Sequence, residues 1–341
     1  MSLLPDHSIN PYYIVTPQYA RTSAGVRALH LLCHWLNKRG MRASILFLNS
    51  KRGTATHPDL LTPVLTQAGV DLHFSEGRTP IVVYPEIVTG NPTGSRCVVR
   101  FLLNVPGLLG GESHFGKEEL VLGYSRHLAE LCGVPEQVLH VPVIDTNVFF
   151  PGEHEERTKT CFYAMKFQTV HEQSVFGVPQ GAIEITANRT DSQSPQEIAA
   201  IFRRSKQFYC FENTALATEA VLCGCPAIFM PNRYLERPIA LHELGWDGYA
   251  WGDTKSEIDR ARATVQKGWV NYTSTIDVFF DQLNWFIDTT QRLAAATPYE
   301  TKVSLGQFDT HANEIVALIG KKRSWRRRDK LKVLYHLFRA T

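Results

Sequence analysis

Short apolar segments alternate with segments of helical spacing along the first half of the chain. Residues 12–16 form an apolar run that predicts a strand, and Pro17 ends it. After a polar loop, apolar residues from Val26 to Leu36 recur every three or four positions, which predicts a helix with one apolar face. Further strands are predicted by the apolar runs at 43–48, 81–86, 97–102, 120–125 and 139–144.

The second half of the chain repeats this alternation. Strands are predicted at 160–166, 183–186, 208–211 and 227–230, and helices at 215–222 and from Ile276 onward. A capping box with proline at the first helical position begins another helix at Ser194-Pro195-Gln196-Glu197. The glycine- and aromatic-rich residues 246–251 predict a packed surface loop. Regular alternation of strands and helices indicates an α/β protein with doubly wound parallel sheets.

The length of the chain indicates more than one domain. Its 341 residues suit two domains of about 150 to 170 residues each. Residues 152–159 are charged and rich in turn formers, as expected of a linker. We therefore predict domains at 1–150 and 151–290, then a helical segment at 291–320 and a basic tail at 321–341.

Composition argues against several classes of protein. Hydrophobic content is 44%, and no apolar run approaches the roughly 20 residues that cross a bilayer. The N-terminus lacks a positive region followed by an apolar core, so no secretory signal is predicted and a cytoplasmic location is expected. The seven cysteines have neither C-x-x-C spacing nor nearby paired histidines, which favours reduced thiols over a disulfide framework or a zinc site.

Charge is distributed unevenly. The net charge is +3, but residues 321–341 carry nine Lys or Arg and one Asp, so the rest of the chain is mildly acidic. In this tail the spacing of the apolar residues Leu331, Leu334, Tyr335 and Phe338 is that of an amphipathic helix. Such a helix with flanking cations predicts attachment to an anionic membrane surface, and a disordered basic end is the alternative.

Candidate chemistry concentrates between residues 207 and 231. There a predicted strand leads through the turn Glu212-Asn213-Thr214 into a helix, so unpaired helix N–H groups reach the carboxyl edge of a sheet, where a phosphate can be held. Glu219 lies on this helix, and its carboxylate can accept two hydrogen bonds from a vicinal diol such as a ribose. The alternative is an ordinary βαβ unit that carries one semi-buried acid.

The run EAVLCGCPAI at 219–228 resembles the EAxxxGxPVI signature of GT-B glycosyltransferases, particularly the large retaining group that uses nucleotide sugars. The resemblance implies two Rossmann-like domains that face a cleft, with a C-terminal helix crossing back onto the first. It also implies that Glu219 binds the donor ribose and that Asn213 and Thr214 bind the diphosphate. The family usually has another Glu eight positions before the one matched by Glu219. Glu212 lies one position after that place, and the resemblance implies that it contacts the sugar.

Other segments resemble the same family. The strand, the loop Ser23-Ala24-Gly25 and the following helix are similar to the opening of GT-B enzymes, which implies that Gly25 lies close to the donor and acceptor. Residues 145–151 resemble the link that ends the first domain. The resemblance also implies that Lys166, at the end of the first strand of the second domain, neutralises the diphosphate as the glycosidic bond breaks, and we expect Arg189 to contribute. A solvated lysine at the end of the strand is the alternative.

The acceptor side is expected in the first domain. A Pro- and Gly-rich loop follows the strand 97–102 and places Asn104 and His114 on loop at a strand's carboxyl end. Both are candidates for binding the acceptor, although a lone loop histidine can equally be a surface residue. With His114, Lys166 and Glu212 form the candidate catalytic set.

The favoured function is transfer of a sugar from a nucleotide-sugar donor to a glycan or lipid-linked glycan acceptor, in cell-surface polysaccharide synthesis and with retention. No D-x-D or D-x-x-D pair follows a predicted strand, so we expect neither a metal nor another cofactor. One alternative is a GT-B-fold sugar-nucleotide epimerase, which needs acid/base groups in the first domain. Another is a non-enzymatic tether that binds a membrane or nucleic acid through its tail, whereas the favoured function involves no nucleic acid.

Overall fold

The computed structural model describes residues 9–48, 53–152, 156–186, 191–299 and 302–309. Contacts between residues divide the chain into two compact units. The first unit comprises Met1–Ala20, Gly25–Leu122 and Ile287–Thr341, and the second comprises Arg21–Ala24 and Gly123–Phe286. Each unit contains its own five-stranded sheet.

The first sheet is built from the N-terminal elements. In chain order these are β1 (Tyr12–Thr16), α1 (Ala24–Lys38), β2 (Ala43–Phe47), α2 (Gln67–Ser75), β3 (Ile81–Pro85), β4 (Cys97–Leu102) and β5 (Leu120–Gly123). The strand order is β2-β1-β3-β4-β5, with β1 parallel to β2 and β3, and β3 parallel to β4. Residues of β1, β3 and β4 are buried throughout, which explains why these strands are continuous apolar runs.

The later elements include the strands of the second sheet and the helices around them. These are α3 (Arg126–Glu130), β6 (Lys159–Tyr163), α4 (Met165–Thr169), β7 (Ile183–Glu184), α5 (Pro195–Arg204), β8 (Ser205–Cys210), α6 (Ala215–Leu222), β9 (Ala227–Phe229), α7 (Leu241–Leu244), β10 (Tyr249–Trp251), α8 (Lys255–Thr264) and α9 (Lys267–Ala295). The order is β10-β9-β8-β6-β7, and every neighbouring pair is parallel. The predicted α/β class with two Rossmann-like parallel sheets is confirmed.

Local signals explain where the helices of the second unit begin and end. The predicted capping box begins α5, since the Ser194 side chain accepts from the Glu197 N–H and the Glu197 side chain accepts from the Ser194 N–H. Thr214 caps α6 through its hydroxyl, which accepts from the N–H of Leu216. Gly224 follows the helix with φ +74°, a conformation that favours glycine and ends α6 where the sequence predicts.

The strand predicted at 139–144 is wrong. Val138 makes only an isolated bridge with Gly123. Two backbone N–H groups of this buried segment instead donate to side chains of α9: that of His140 to Gln282 Oε1 at 2.8 Å, and that of Ile144 to the Tyr272 hydroxyl at 2.9 Å. Because helix side chains satisfy these groups, no neighbouring strand is needed.

Two further predictions need correction. Residues 246–251 are not only a loop, since Tyr249–Trp251 form the edge strand β10 beside β9. Lys166 does not end a strand, because β6 stops at Tyr163 and the lysine lies in the first turn of α4. Helices α2, α4, α7 and α8 were not predicted.

The predicted domain boundaries at 150 and 290 stay predictions, and the contacts divide the chain at other points. Residues from Ile287 onward group with the first unit, where Thr290 bonds the Tyr12 hydroxyl at 2.8 Å and the Gln291 side chain accepts the Asn10 N–H at 3.0 Å. The predicted amphipathic tail at 321–341 lies outside the described residues.

Two predictions from composition concern the cysteines and helices that could cross a membrane. All seven cysteines are free thiols; six are buried and Cys132 is half-buried. Within the described ranges, no helix combines the length and the apolarity that crossing a bilayer requires.

Candidate functional site

The carboxyl edge of the second sheet carries four predicted site residues, Lys166, Glu212, Asn213 and Thr214. Strands β6, β8 and β9 end there, and the segments that follow them contain Lys166, Glu212 and Tyr234 respectively. Ligands of open parallel sheets bind at this edge, because the loops after the strands converge there. The second unit therefore has its candidate site where its topology favours one.

Glu212 holds the beginning of α4. Its side chain is 7% exposed, and Oε2 accepts the backbone N–H groups of Lys166 at 2.6 Å and Phe167 at 3.3 Å. These N–H groups belong to the first turn of the helix and have no partner within it. The carboxylate thus satisfies two donors of the kind that a phosphate oxygen also accepts.

Lys166 and Glu212 also form an ion pair. The Lys166 Nζ lies 3.5 Å from Glu212 Oε1, longer than a well-formed hydrogen bond, and the lysine side chain is 37% exposed. Burial raises the pKa of the Glu212 carboxyl, while the Lys166 ammonium and the two N–H groups oppose that shift. Glu212 Oε1 is shielded from solvent and has no hydrogen-bond partner. The pair therefore combines an accessible cation with a carboxylate oxygen that can accept a further donor.

The turn after Glu212 is used to hold a neighbouring loop. The Asn213 side chain donates to the carbonyl of Arg237 at 3.2 Å and accepts the N–H of Ile239 at 3.1 Å. Thr214 is occupied as the cap of α6, with its hydroxyl 3.3 Å from the Leu216 nitrogen. Both residues lie at the predicted place, and their contact with a diphosphate stays a prediction.

Glu219 lies in the middle of α6 and is 4% exposed. The helix places it inside the second unit rather than at the surface of the site, so its contact with a ribose stays a prediction. Arg189, the other predicted donor contact, lies outside the described residues.

Aromatic side chains lie on the segments that carry Lys166 and Glu212 and on the loop after β9. Phe167 of α4 stacks on Phe211 with ring centroids 5.1 Å apart. Tyr234 stacks on His171 with centroids 3.6 Å apart and planes inclined by 10°, and the Arg233 guanidinium lies over the Tyr234 ring at 4.5 Å. No periodic pattern in the sequence marks His171 and Tyr234 as neighbours.

The candidates in the first unit lie on two segments. A side chain at Gly25 would meet Leu103 at 3.5 Å, so α1 passes close to the loop that carries Asn104. The Asn104 side chain accepts the N–H of Val105 at 2.8 Å. His114 is exposed, and its Nδ1 lies 3.0 Å from the Ser113 hydroxyl. Their contact with an acceptor stays a prediction.

Glu86 was not predicted as a candidate, although it directly follows an entirely apolar strand. It is 3% exposed, and its Oε2 accepts the N–H of Leu103 at 3.0 Å. Burial raises the pKa of this carboxyl to about 7, and backbone N–H groups only partly offset that effect. Glu86 is thus a buried acid at the carboxyl edge of the first sheet, tied to the residue before Asn104.

The raised pKa of Glu86 predicts a pH dependence of stability. A carboxyl with a folded-state pKa above its unfolded value stabilises the fold when protonated, and this contribution is lost as the pH rises from about 4.5 to about 7. The stability of the wild type relative to Glu86→Gln should fall by up to about 3 kcal/mol across that interval. Urea unfolding of both proteins at a series of pH values measures this difference.

Glu118→Gln is the matched control for that series, because Glu118 is an exposed glutamate of the same unit. Its stability should follow the wild type at every pH. If the free energy of unfolding changes with pH in the same way for the wild type and for Glu86→Gln, the prediction is wrong.

Comparisons with known proteins give distant structural similarities only. No family model matches the chain, and no curated protein matches it. Its structure is similar to the glycosyltransferase SnogD from Streptomyces nogalater, with 11% sequence identity and a TM-score of 0.40. It is also similar to the glycotransferase of kitacinnamycin (12%, 0.37) and to the spinosyn forosaminyltransferase SpnP (13%, 0.34). Each alignment covers 91% of this chain and 99% of the other.

Proposed function

We propose that the protein is a glycosyltransferase whose second unit binds a nucleotide-sugar donor. The observation that carries this proposal is the Lys166–Glu212 pair at the carboxyl edge of the second sheet, with its 3.5 Å separation and a carboxylate oxygen that has no hydrogen-bond partner. A partly exposed cation beside a buried acceptor suits a ligand with an anionic part and a hydroxyl-bearing part. A nucleoside diphosphate sugar has both.

The proposed roles follow from the chemistry of glycosyl transfer. As the bond between sugar and diphosphate breaks, negative charge grows on the leaving phosphate, and Lys166 stabilises that charge. Glu212 Oε1 accepts a hydrogen bond from a sugar hydroxyl, which orients the sugar. Asn213 and Thr214 contact the diphosphate at the beginning of α6, and Glu219 accepts from the ribose hydroxyls.

The remaining parts of the proposal concern the acceptor. We assign the acceptor contacts to Asn104 and His114 of the first unit, with a glycan or lipid-linked glycan as the acceptor, and we assign Gly25 to the donor. The transfer proceeds with retention, without a metal or another cofactor, in cell-surface polysaccharide synthesis. The basic tail at 321–341 holds the enzyme at the cytoplasmic face of an anionic membrane.

Glu219→Gln tests the donor site directly. The substitution keeps the shape of the side chain and removes its charge, so the affinity for the cognate nucleoside diphosphate should fall about ten- to a hundredfold. Calorimetric titration gives the affinities, and melting curves of the unliganded proteins check the fold. If both proteins bind equally and the variant only melts earlier, Glu219 has a structural role and the ribose contact is wrong.

Product analysis distinguishes a transferase from an epimerase. The protein is incubated with a panel of nucleotide sugars, with and without glycan acceptors. A transferase releases nucleoside diphosphate and extends the acceptor. A new nucleotide sugar formed without any acceptor would instead identify an epimerase and overturn the proposal.

A further inference from the structure

Glu86 is a buried acid to which the proposed reaction gives no role. It directly follows β3 at the carboxyl edge of the first sheet and is 3% exposed. Strand β4 runs parallel beside β3, with Pro85 opposite Phe101. The residues that follow the two strands therefore emerge side by side, and Glu86 lies next to the beginning of the loop 103–114.

The loop 103–114 has little structure of its own. All of its residues are described, and none of them belongs to a helix or strand. They make one backbone–backbone hydrogen bond with each other, from the Leu108 N–H to the Val105 carbonyl at 3.1 Å. Gly110 and Gly111 have positive φ angles of 124° and 76°. Glycines of this kind allow a loop many conformations, so the observed one depends on contacts with other segments.

Contacts near both ends attach this loop to the segment that follows β3. Glu86 Oε2 accepts the N–H of Leu103, the first residue of the loop, at 3.0 Å. Near the other end, a Cβ atom at Gly111 would clash with the Glu86 carbonyl oxygen, so the two backbones are in direct contact. The Glu112 side chain accepts the N–H of Gly90 at 3.3 Å. Glu86 thus contacts both ends of the loop, one through its side chain and the other through its backbone.

The Glu86 carboxyl is uncharged at mildly acidic pH. Burial raises its pKa to about 7, and the backbone N–H groups of Leu103, Asn104 and Glu86 itself only partly oppose that shift. Among the described residues, no charged side chain contributes to the shift. The charged and titratable side chains on the surrounding segments are Tyr84 of β3, Arg100 of β4, Glu112 and His114 of the loop, and Arg27 and His30 in the part of α1 that follows Gly25.

This pKa links the proton on Glu86 to the position of the loop. When the loop moves away, water reaches the carboxyl and its pKa returns towards the ordinary value of 4.5. In the observed, closed arrangement the carboxyl therefore holds its proton more tightly than in an open one. By linkage, the proton stabilises the closed loop, and this contribution is lost as the pH rises from about 4.5 to about 7.

The two acceptor candidates lie on this loop. Asn104 directly follows Leu103, and its side chain accepts the Val105 N–H at 2.8 Å, so its place depends on the beginning of the loop. His114 ends the loop, three residues after Gly111. The contacts of Glu86 are therefore close in the chain to both candidates.

We propose that Glu86 is a positioning residue that holds the loop 103–114, and with it Asn104 and His114, in place for the acceptor, and that it releases the loop when its carboxyl loses the proton. The inference rests on the proposed function, since that function assigns the acceptor contacts to Asn104 and His114. Glu86 acts through the loop and not by touching a substrate.

Amide hydrogen exchange of the full-length protein, followed by mass spectrometry, tests whether Glu86 controls the loop. After correction for the intrinsic exchange rates, opening of the wild-type loop should increase roughly fifty- to a hundredfold between pH 5 and pH 8. Glu86→Gln is uncharged at both pH values and keeps an oxygen that accepts the Leu103 N–H. After the same correction, its loop should be as well protected at pH 8 as at pH 5.

Two further variants complete this experiment. Glu86→Ala offers no acceptor to Leu103, so opening of the loop should increase about ten- to a hundredfold already at pH 5. Glu118→Gln is the matched control, because Glu118 is an exposed glutamate of the same unit, and it should show the pH response of the wild type. The comparison of wild type with Glu86→Gln decides even if Glu86→Ala does not fold. Equal pH responses of these two proteins would overturn the inference.

Steady-state kinetics at pH 6 test the acceptor role separately. The substrates are the nucleotide sugar and the glycan acceptor that the product analysis selects from its panels. Glu86→Ala should raise the KM for the acceptor about tenfold and leave the KM for the donor unchanged, and Glu86→Gln should have the wild-type values. If Glu86→Ala raises both KM values equally, or neither, Glu86 does not position the loop for the acceptor.

The failures of the two proposals are distinguishable. If no combination of nucleotide sugar and acceptor gives a product, the proposed function fails and the acceptor role of the loop fails with it, whereas hydrogen exchange still shows whether Glu86 holds the loop. If transfer occurs but the wild-type loop is equally protected at pH 5 and pH 8, the proposed function stands and the role of Glu86 is wrong.

Discussion

Lys166→Met should lower the rate of sugar transfer about a hundred- to a thousandfold, the loss typical of removing one group that stabilises charge in the transition state. The ammonium lies 3.5 Å from Glu212 Oε1 and is partly exposed, so it can meet a phosphate without leaving the site. Because the charge on the leaving group grows during bond breaking, the loss should appear mainly in kcat. Steady-state kinetics at saturating donor measures it.

The same substitution should also affect the free protein. Without the ammonium, the buried Glu212 carboxylate has no opposing side-chain charge, and its pKa, already raised by burial, rises further. The double variant Lys166→Met/Glu212→Gln removes this unpaired charge. It should regain the thermal stability lost by the single variant, which would show that this loss comes from the unpaired charge.

Lys255→Met provides the matched control for Lys166. Lys255 belongs to the same unit, is 92% exposed, and pairs with Asp259 in the neighbouring turn of α8. Its kinetics should be those of the wild type. A Lys166→Met enzyme that transfers sugar within about threefold of the wild-type rate would exclude the proposed role of the lysine.

Elements with a strong local signal were predicted closely. The strand at 97–102 and the helix at 215–222 agree with β4 and α6 to the residue, because a continuous apolar run defines the first and a cap and a glycine define the second. The segment 139–144 has an equally apolar sequence. Its backbone is satisfied by Gln282 and Tyr272, more than a hundred residues later, and local pattern carries no information about such partners.

The candidate site likewise has features that local sequence predicts and features that depend on distant segments. Lys166 was identified as the last residue of a predicted strand, and Glu212 as the first residue of the turn after another. In the structure, the Glu212 carboxylate both caps α4 and pairs with Lys166. The sequence does not show this, because the two residues are 46 positions apart. The Tyr234–His171 stack and the buried Glu86 likewise depend on how distant segments pack. Sequence therefore identifies the segments of the site, and only the fold shows which side chains share an environment.

The largest stability effect is expected at Arg100. This arginine is 1% exposed; its Nε lies 2.8 Å from Glu119 Oε2 and one terminal nitrogen lies 3.0 Å from Oε1. It also donates to the carbonyls of Val88, at 2.9 Å, and Gly90. Arg100→Met leaves the carboxylate and both carbonyls without their donor, which should cost about 3 to 5 kcal/mol. That is a large part of the stability of a typical domain, and urea unfolding followed by circular dichroism measures it.

Two further variants show whether the loss comes from an uncompensated buried charge. Arg100→Met/Glu119→Leu removes both charges, so it should be more stable than Arg100→Met alone, because the desolvation of an unpaired carboxylate no longer opposes folding. Lys302→Met is the control in the same unit: its lysine and Asp71 are 45% and 49% exposed, and the urea midpoint should not move. If Arg100→Met shifts the urea midpoint no more than Lys302→Met does, Arg100 contributes no more to stability than a surface charge. The hydrogen bonds of Arg100 are then not what holds the loops at Val88 and Gly90 to β4.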